Sequence, residues 1–263
     1  MDKNLIISHL GQHPWAEHLL VLEQTGSTNT LLKEMGRQGA PHGTVVIADR
    51  QTAGRGRMGR SFLSPEGKGI YFSALIRPNV SPTELMHLTC AVGTAMCDAV
   101  QAATGLRPQI KWINDLVIGK RKLGGILTEL SLNPKNGLVD YAVLGIGINC
   151  NQQPEDFDES IREMATSLSI ATEQSVCREQ VAAEMIHALA SLDLLQRETI
   201  MARYRKDCIT LGQAILVIRS ATARPGTAIG IDEEGALLVR YESGETEAVS
   251  SGEVSVRGLY GYV

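Results

Sequence analysis

Aromatic residues are scarce in this 263-residue sequence, at 4%, and none of them interleaves with the arginines. That argues against the stacking platform a single-strand RNA binder needs. The five cysteines (Cys90, Cys97, Cys150, Cys177 and Cys208) are odd in number and contain no C-x-x-C. A disulfide framework and a zinc site are both disfavoured, so the thiols read as reduced and half-buried. Long hydrophobic runs are missing too. The apolar stretches at 141–148 and 214–218 are far shorter than the roughly 20 residues that span a bilayer. The opening residues Met1-Asp2-Lys3-Asn4 lead into no apolar signal segment, and the expectation is a soluble, cytoplasmic protein without membrane association. A net charge of -4 excludes a generally basic nucleic-acid coat. What is present is ordinary globular material, with 43% hydrophobic and 21% charged residues. The length suits one large domain with a small companion.

Charge is informative by position. Residues 50–60 carry Arg50, Arg55, Arg57 and Arg60 without a carboxylate. Residues 107–122 carry Arg107, Lys111, Lys120, Arg121 and Lys122 against Asp115 alone. Such runs are usually solvated loops. Glycine shifts that reading here, because it lets backbone N–H groups approach an anion that the cations can neutralise.

The spacing of apolar and turn residues predicts the elements. A strand is expected at 19–23 after an N-terminal tail. Ser27-Thr28-Asn29-Thr30 is suited to cap a helix that stops near Gly39. Strands at 44–48 and 69–76 flank a long Gly/Arg loop at 53–68, and loops of that length in a compact domain tend to be functional. Ser81-Pro82-Thr83-Glu84 has the form of a capping box, opening a helix that runs to Ala103 and ends at Gly105. Strands follow at 109–112, 115–118, 122–131 and 141–149, with Gly119-Lys120 as a tight hairpin turn. An acidic connector at 155–163 precedes two helices within 175–207. Short strands at 215–218, 228–231, 237–240 and 246–249 predict a separate β-barrel. The fold class is therefore α+β: a mixed β-sheet domain flanked by helices over 18–210, an N-terminal segment over 1–17 and a small C-terminal β-barrel over 211–263.

Familiar catalytic motifs fail on inspection. Gly54-Arg55-Gly56-Arg57-Met58-Gly59 matches G-x-G-x-x-G, but Pro65 and Gly67 break any following helix and no acid lies between Gly69 and Pro82. Gly67-Lys68 and Gly119-Lys120 lack the Ser or Thr of a phosphate loop. No G-x-S-x-G or H-E-x-x-H occurs, and His9 and His13 read as surface residues of the tail. Trp112 and Met58 read as packing groups. What remains is a set of arginines, lysines and backbone amides able to hold phosphate and carboxylate together. Two anions held in register can react by positioning and charge stabilisation, without a protein nucleophile.

Residues 51–60 (Gln-Thr-Ala-Gly-Arg-Gly-Arg-Met-Gly-Arg), Lys111-Trp112-Ile113-Asn114-Asp115 and Lys122-Leu123-Gly124-Gly125-Ile126-Leu127 together resemble the biotin–protein ligases. Ser27-Thr28-Asn29, Gly145-Ile146-Gly147-Ile148-Asn149 and Ala165-Thr166-Ser167-Leu168 fall where that family has similar segments, and the likeness runs from about residue 19 to the end. The resemblance implies activation of biotin by Mg-ATP to biotinyl-5'-AMP. Transfer then follows to a lysine of the biotin carboxyl carrier domain of acetyl-CoA carboxylase or another biotin-dependent carboxylase. It implies that Ser27, Thr28, Asn29, Gln51, Gly54, Arg55 and Gly125 bind biotin, and that Arg57, Lys122 and Lys111 are catalytic. Arg57 and Lys122 would hold the carboxylate. Arg55, Arg57, Arg60, Phe62, Lys111, Asn114 and Asn149 would bind ATP, and Asp115 would place Mg²⁺. The family usually has Pro at Ile113 and Trp at Phe62, departures that bear on nucleotide affinity. A related reading is a lipoate or octanoate ligase or transferase; one of another class is an RNA-binding module. About two dozen residues precede Ser27, too few for a winged helix, so no DNA binding is expected. Either a monomer or a homodimer fits.

Overall fold

The run Gly-Ile-Tyr-Phe-Ser-Ala-Leu-Ile offers no polar face, and in the computed structural model it forms β3 (Gly69–Ile76), buried at every position near the middle of a seven-stranded sheet. Burial on both faces is what such an uninterrupted run requires. The structure describes residues 1–219, 222–250 and, in backbone only, 255–258. The sheet order is β1-β2-β3-β7-β6-β5-β4. It comprises β1 (Leu19–Thr25), β2 (Thr44–Gln51), β4 (Gln109–Lys111), β5 (Asp115–Ile118), β6 (Arg121–Leu132) and β7 (Val139–Asn149) around β3. β1 and β2 are parallel, and every other neighbouring pair is antiparallel. Gly119 and Lys120 both adopt the positive φ that a two-residue type I′ hairpin demands.

Helices cover both faces. α2 (Thr28–Arg37) seats Leu32 against Val46, Leu75, Tyr141 and Val143 on one face. On the other, α3 (Leu88–Thr104) and α5 (Arg178–Ala190) build the main core with Val45, Ile47, Phe72, Leu144 and Ile146. α4 (Leu168–Thr172) and α6 (Arg197–Asp207) complete the layer. No helix among the described residues is long and apolar enough to cross a membrane.

The N-terminal stretch is not a loose tail. Asp2 caps α1 (Lys3–Leu10) through the amides of Asn4 and Leu5, and Ile6 and Leu10, one turn apart, are buried beside α5. His13 is half-buried rather than at the surface, edge-on to His187 at 5.2 Å between ring centroids. The helix expected from Ser81 onward is also divided. The capping box closes on a 3-10 turn at Pro82–Leu85, and α3 starts only at Leu88. Between them His87 is fully buried, its Nε2 3.1 Å from the Leu194 carbonyl, so a tertiary bond overrides helical continuity.

After α6 the chain forms β8 (Ala214–Arg219), β9 (Thr222–Ile231), β10 (Leu237–Tyr241), β11 (Thr246–Val249) and β12 (Ser255–Gly258). They make an antiparallel sheet in the order β11-β10-β9-β8-β12. The described residues show a small antiparallel sheet without a β11–β12 pairing, and closure into a barrel stays an expectation. It docks through the turn before β10. The Trp112 indole donates to the Gly235 carbonyl at 2.9 Å, while the Trp112 amide donates to Thr210 Oγ1 at 2.9 Å. Trp112 is thus a packing group, as expected, whereas Met58 is not, being 58% exposed. All five cysteines are free; Cys90, Cys97, Cys150 and Cys208 are fully rather than half-buried, and Cys177 is exposed.

Candidate active site

The two cationic segments come from opposite halves of the sheet, on either side of β7, and meet at one cavity. The loop at 52–68 folds back from β2 to β3, while the β4–β5 turn and the start of β6 bring up Lys111, Asn114, Asp115 and Lys122. Together with the glycines of β7 they enclose a cavity of about 670 Å³.

One end is a set of neutral polar groups. Ser27 caps α2 from its N-terminus, the structural role its residue type suggests, and also faces the cavity. Thr28 gives its amide and hydroxyl to Gln51 Oε1 at 2.9 and 3.1 Å, and Gln51 Nε2 donates to Ser64 Oγ at 3.0 Å. Asn29 is held by Ser73 Oγ, by the Leu127 carbonyl and by Glu129 Oε2. Burial alone would raise the Glu129 carboxyl, but hydrogen bonds from Lys33 and Asn29 hold it below its usual value. These bonds fix rotamers in advance, as a site for an uncharged polar ring requires.

At the other end cations outnumber carboxylates. Arg57 Nη1 donates to Asn114 Oδ1 at 2.8 Å, and Lys122 Nζ meets Asp115 Oδ1 at 2.7 Å. Lys111 is only 8% exposed. Burial depresses the Arg57 guanidinium, with nearby Asp115 pulling the other way; arginine nonetheless stays a cation. Arg55 and Arg60 lie at the exposed rim. A partly enclosed cleft with this surplus concentrates anions.

Every residue assigned to biotin, ATP, Mg²⁺ or catalysis lines this cavity except Gly54, whereas Arg50, Arg107, Lys120 and Arg121 of the two cationic segments do not. Gly54 packs behind it: a Cβ there would stand 2.4 Å from the Phe62 carbonyl oxygen and 2.8 Å from Ser64 Oγ. Its neighbour-in-kind Gly124 is likewise structural, since a Cβ would reach 2.3 Å from the Gly147 carbonyl. Gly125 is the glycine that opens onto Lys122 and Asp115. Phe62 lies on Gly147, whose absent side chain leaves a flat seat for a ring. Asn149 faces the same cavity two residues on.

Part of the wall carries no motif in the sequence. Phe157, Ile161 and Met164 supply an apolar flank from what looked like an acidic connector, and their spacing of four and three was the available signal. Thr166 donates its amide to the Lys122 carbonyl at 2.8 Å, stitching that segment to β6. Gln152 also lines the cavity, with no sequence signal to announce it. No group of three or more His, Cys, Asp or Glu among the described residues could hold a metal ion. Asp115 and Asp156 are the carboxylates in the wall, and Asp156 is paired with Lys68 at 3.1 Å.

Comparison with known proteins gives a consistent result. Residues 21–149 match the biotin/lipoate A/B protein ligase family, and residues 210–257 match the biotin protein ligase C terminal domain. The bifunctional ligase/repressor BirA of Bacillus subtilis is 34% identical over 235 residues, covering 87% of this chain and 71% of that protein. Biotin–[acetyl-CoA-carboxylase] ligase of Mycobacterium tuberculosis is 32% identical over 243 residues, covering 89% and 87%. Among solved structures, biotin protein ligase from Aquifex aeolicus in complex with biotin and ATP superposes with a TM-score of 0.77 at 29% identity, covering 92% of this chain and 99% of that one.

Proposed function

This chain belongs to the biotin/lipoate A/B protein ligase family, and from that premise we propose that it is an ATP-dependent, AMP-forming biotin–protein ligase. A biotin carboxylate oxygen attacks the α-phosphorus of ATP and pyrophosphate leaves. The ε-amine of one lysine on a biotin carboxyl carrier protein then attacks the acyl carbon of biotinyl-5'-AMP. AMP departs, the amine loses a proton and an amide forms. The observation that carries this reading is the convergence, in one cavity, of a neutral polar end with a cationic end.

Each wall suits one part of that chemistry. The donors and acceptors of Ser27, Thr28 and Gln51 match the cyclic urea of biotin. Arg57 and Lys122 would sit where a carboxylate and a phosphate must approach despite their like charge, which is the barrier such cations lower. Lys111 would face the remaining phosphates, with Arg55 and Arg60 closing from the rim. Phe62, Asn114 and Asn149 would border the nucleoside. Asp115 fits a Mg²⁺ that arrives on the triphosphate, because such an ion needs only one or two protein carboxylates and keeps phosphate and water ligands. That ion would supply charge neutralisation at the phosphates. We expect the reaction to run in the cytoplasm.

Mass spectrometry of the chain incubated with Mg-ATP and biotin, lipoate or octanoate tests the assignment. Biotinyl-5'-AMP should form, and an added carrier domain should gain one biotinyl group. Formation of lipoyl or octanoyl adenylate in preference would overturn it.

A further inference from the structure

Two side-chain amides, Asn149 at the end of β7 and Gln152 just beyond it, are oriented by a group whose polarity cannot change. The Thr166 carbonyl can only accept, so the amide atom 3.0 Å from it is Asn149 Nδ2. Asn149 Oδ1 is then turned toward Gln152 and takes a hydrogen from Gln152 Nε2 at 3.1 Å. The remaining atom of that pair, Gln152 Oε1, is left as a buried acceptor with no partner among the described residues. Gln152 is 2% exposed, and both amides belong to the cavity wall. A buried, unsatisfied oxygen is costly unless something that enters the cavity donates to it.

We infer that Gln152 is a specificity-determining residue of this site, its Oε1 accepting the 6-amino group of adenine. This rests on the reading that ATP binds in the cavity. The amide nitrogen of Asn149 keeps a second hydrogen beyond the one given to Thr166, so the two residues offer an acceptor and a donor. Adenine presents the complement, an exocyclic N–H beside a ring nitrogen. Guanine and hypoxanthine carry a carbonyl at the same carbon and would set oxygen against oxygen. The Phe62 ring on Gly147, two residues before Asn149 along β7, supplies the flat apolar contact a purine needs.

The test compares ATP with purine riboside triphosphate, which has hydrogen in place of the amino group, and with ITP. Biotin-dependent pyrophosphate release is read for the wild-type chain and for Gln152→Met. The wild type should prefer ATP over the hydrogen analogue by roughly ten- to a hundredfold in kcat/KM, the usual discrimination when a buried polar group is left unpaired. In Gln152→Met the KM for ATP should rise, the KM for biotin should hold, and the preference should shrink toward unity. Equal use of both nucleotides by the wild type would overturn the inference and needs no variant. A Gln152→Met loss of the same factor on every nucleotide would do so too, since that is how a purely structural residue behaves. Absence of any biotinyl adenylate from ATP would sink the functional reading itself, and this inference with it.

Discussion

Removing Lys122 separates the cost to the fold from the cost to the chemistry. Its ammonium stands 2.7 Å from Asp115, with 34% of the lysine side chain and 20% of the aspartate side chain exposed. A pair this wet contributes no more than about 1 kcal/mol, and a chain of this size loses about 2–4 °C in Tm per kcal/mol. The backbone of residue 122 keeps its pairing with Val117 and its bond from Thr166, because neither involves the side chain. Catalysis has more to lose: one fixed donor aimed at developing charge is worth about 3–4 kcal/mol, or roughly 10²–10³ in rate. Lys122→Ala should therefore melt within a few degrees of wild type yet form biotinyl adenylate some hundredfold more slowly. Lys122→Arg, which restores the charge with different geometry, should recover part of the rate. Single-turnover adenylate formation followed by mass spectrometry measures both variants. A Lys122→Ala rate within about threefold of wild type would refute the argument, because no fixed cation of this kind is worth so little.

Gly124→Ala and Gly125→Ala should part company. The first forces a methyl onto the Gly147 carbonyl and should cost about 1–3 kcal/mol of stability; the second meets only ordinary contacts at 3.5 Å or more and should keep its Tm while slowing adenylation. Thermal melts beside activity assays distinguish them, and equal melting temperatures would contradict the backbone-clash account. Burial pushes the His87 imidazole below its usual range, partly offset by its bond to Leu194. Below about pH 6.5 the unfolded chain takes the proton first, so stability should be complete above that pH and fall below it. Urea midpoints at pH 7.5 and 5.5 test this, and His87→Phe should flatten the difference. Trp112→Phe leaves the Gly235 carbonyl without its donor, at a cost of about 1–3 kcal/mol. Calorimetry showing no loss would contradict the importance of that bond.

The strands of the main sheet were legible because their signals are local: apolar runs bounded by glycine, proline and the Gly119-Lys120 turn. α1 was not, because eight residues with two buried side chains carry little periodic signal, and α5 supplies the stability. The break before α3 depends on a carbonyl more than a hundred residues away, which no window around His87 contains. The small strands near the C-terminus were visible one by one, but whether they close on themselves is a long-range property. At the cavity the motifs name side chains that share one wall, while Gly54 packs behind it, a difference no local pattern carries. Gln152 escaped because an orphaned oxygen exists only once the fold has spent every other partner.

The bond between the Trp112 indole and the Gly235 carbonyl ties the two sheets into one thermodynamic object. Apolar side chains of both sheets, Ile126 and Ile146 with Val217 and Leu237, belong to one continuous core, so neither sheet can loosen without exposing a partner's inner face. The tryptophan that makes this bond also stands beside Lys111 in the cavity wall, so the smaller sheet and the cavity share a residue. The smaller unit is thus built onto the same core as the cavity wall rather than hung beside it.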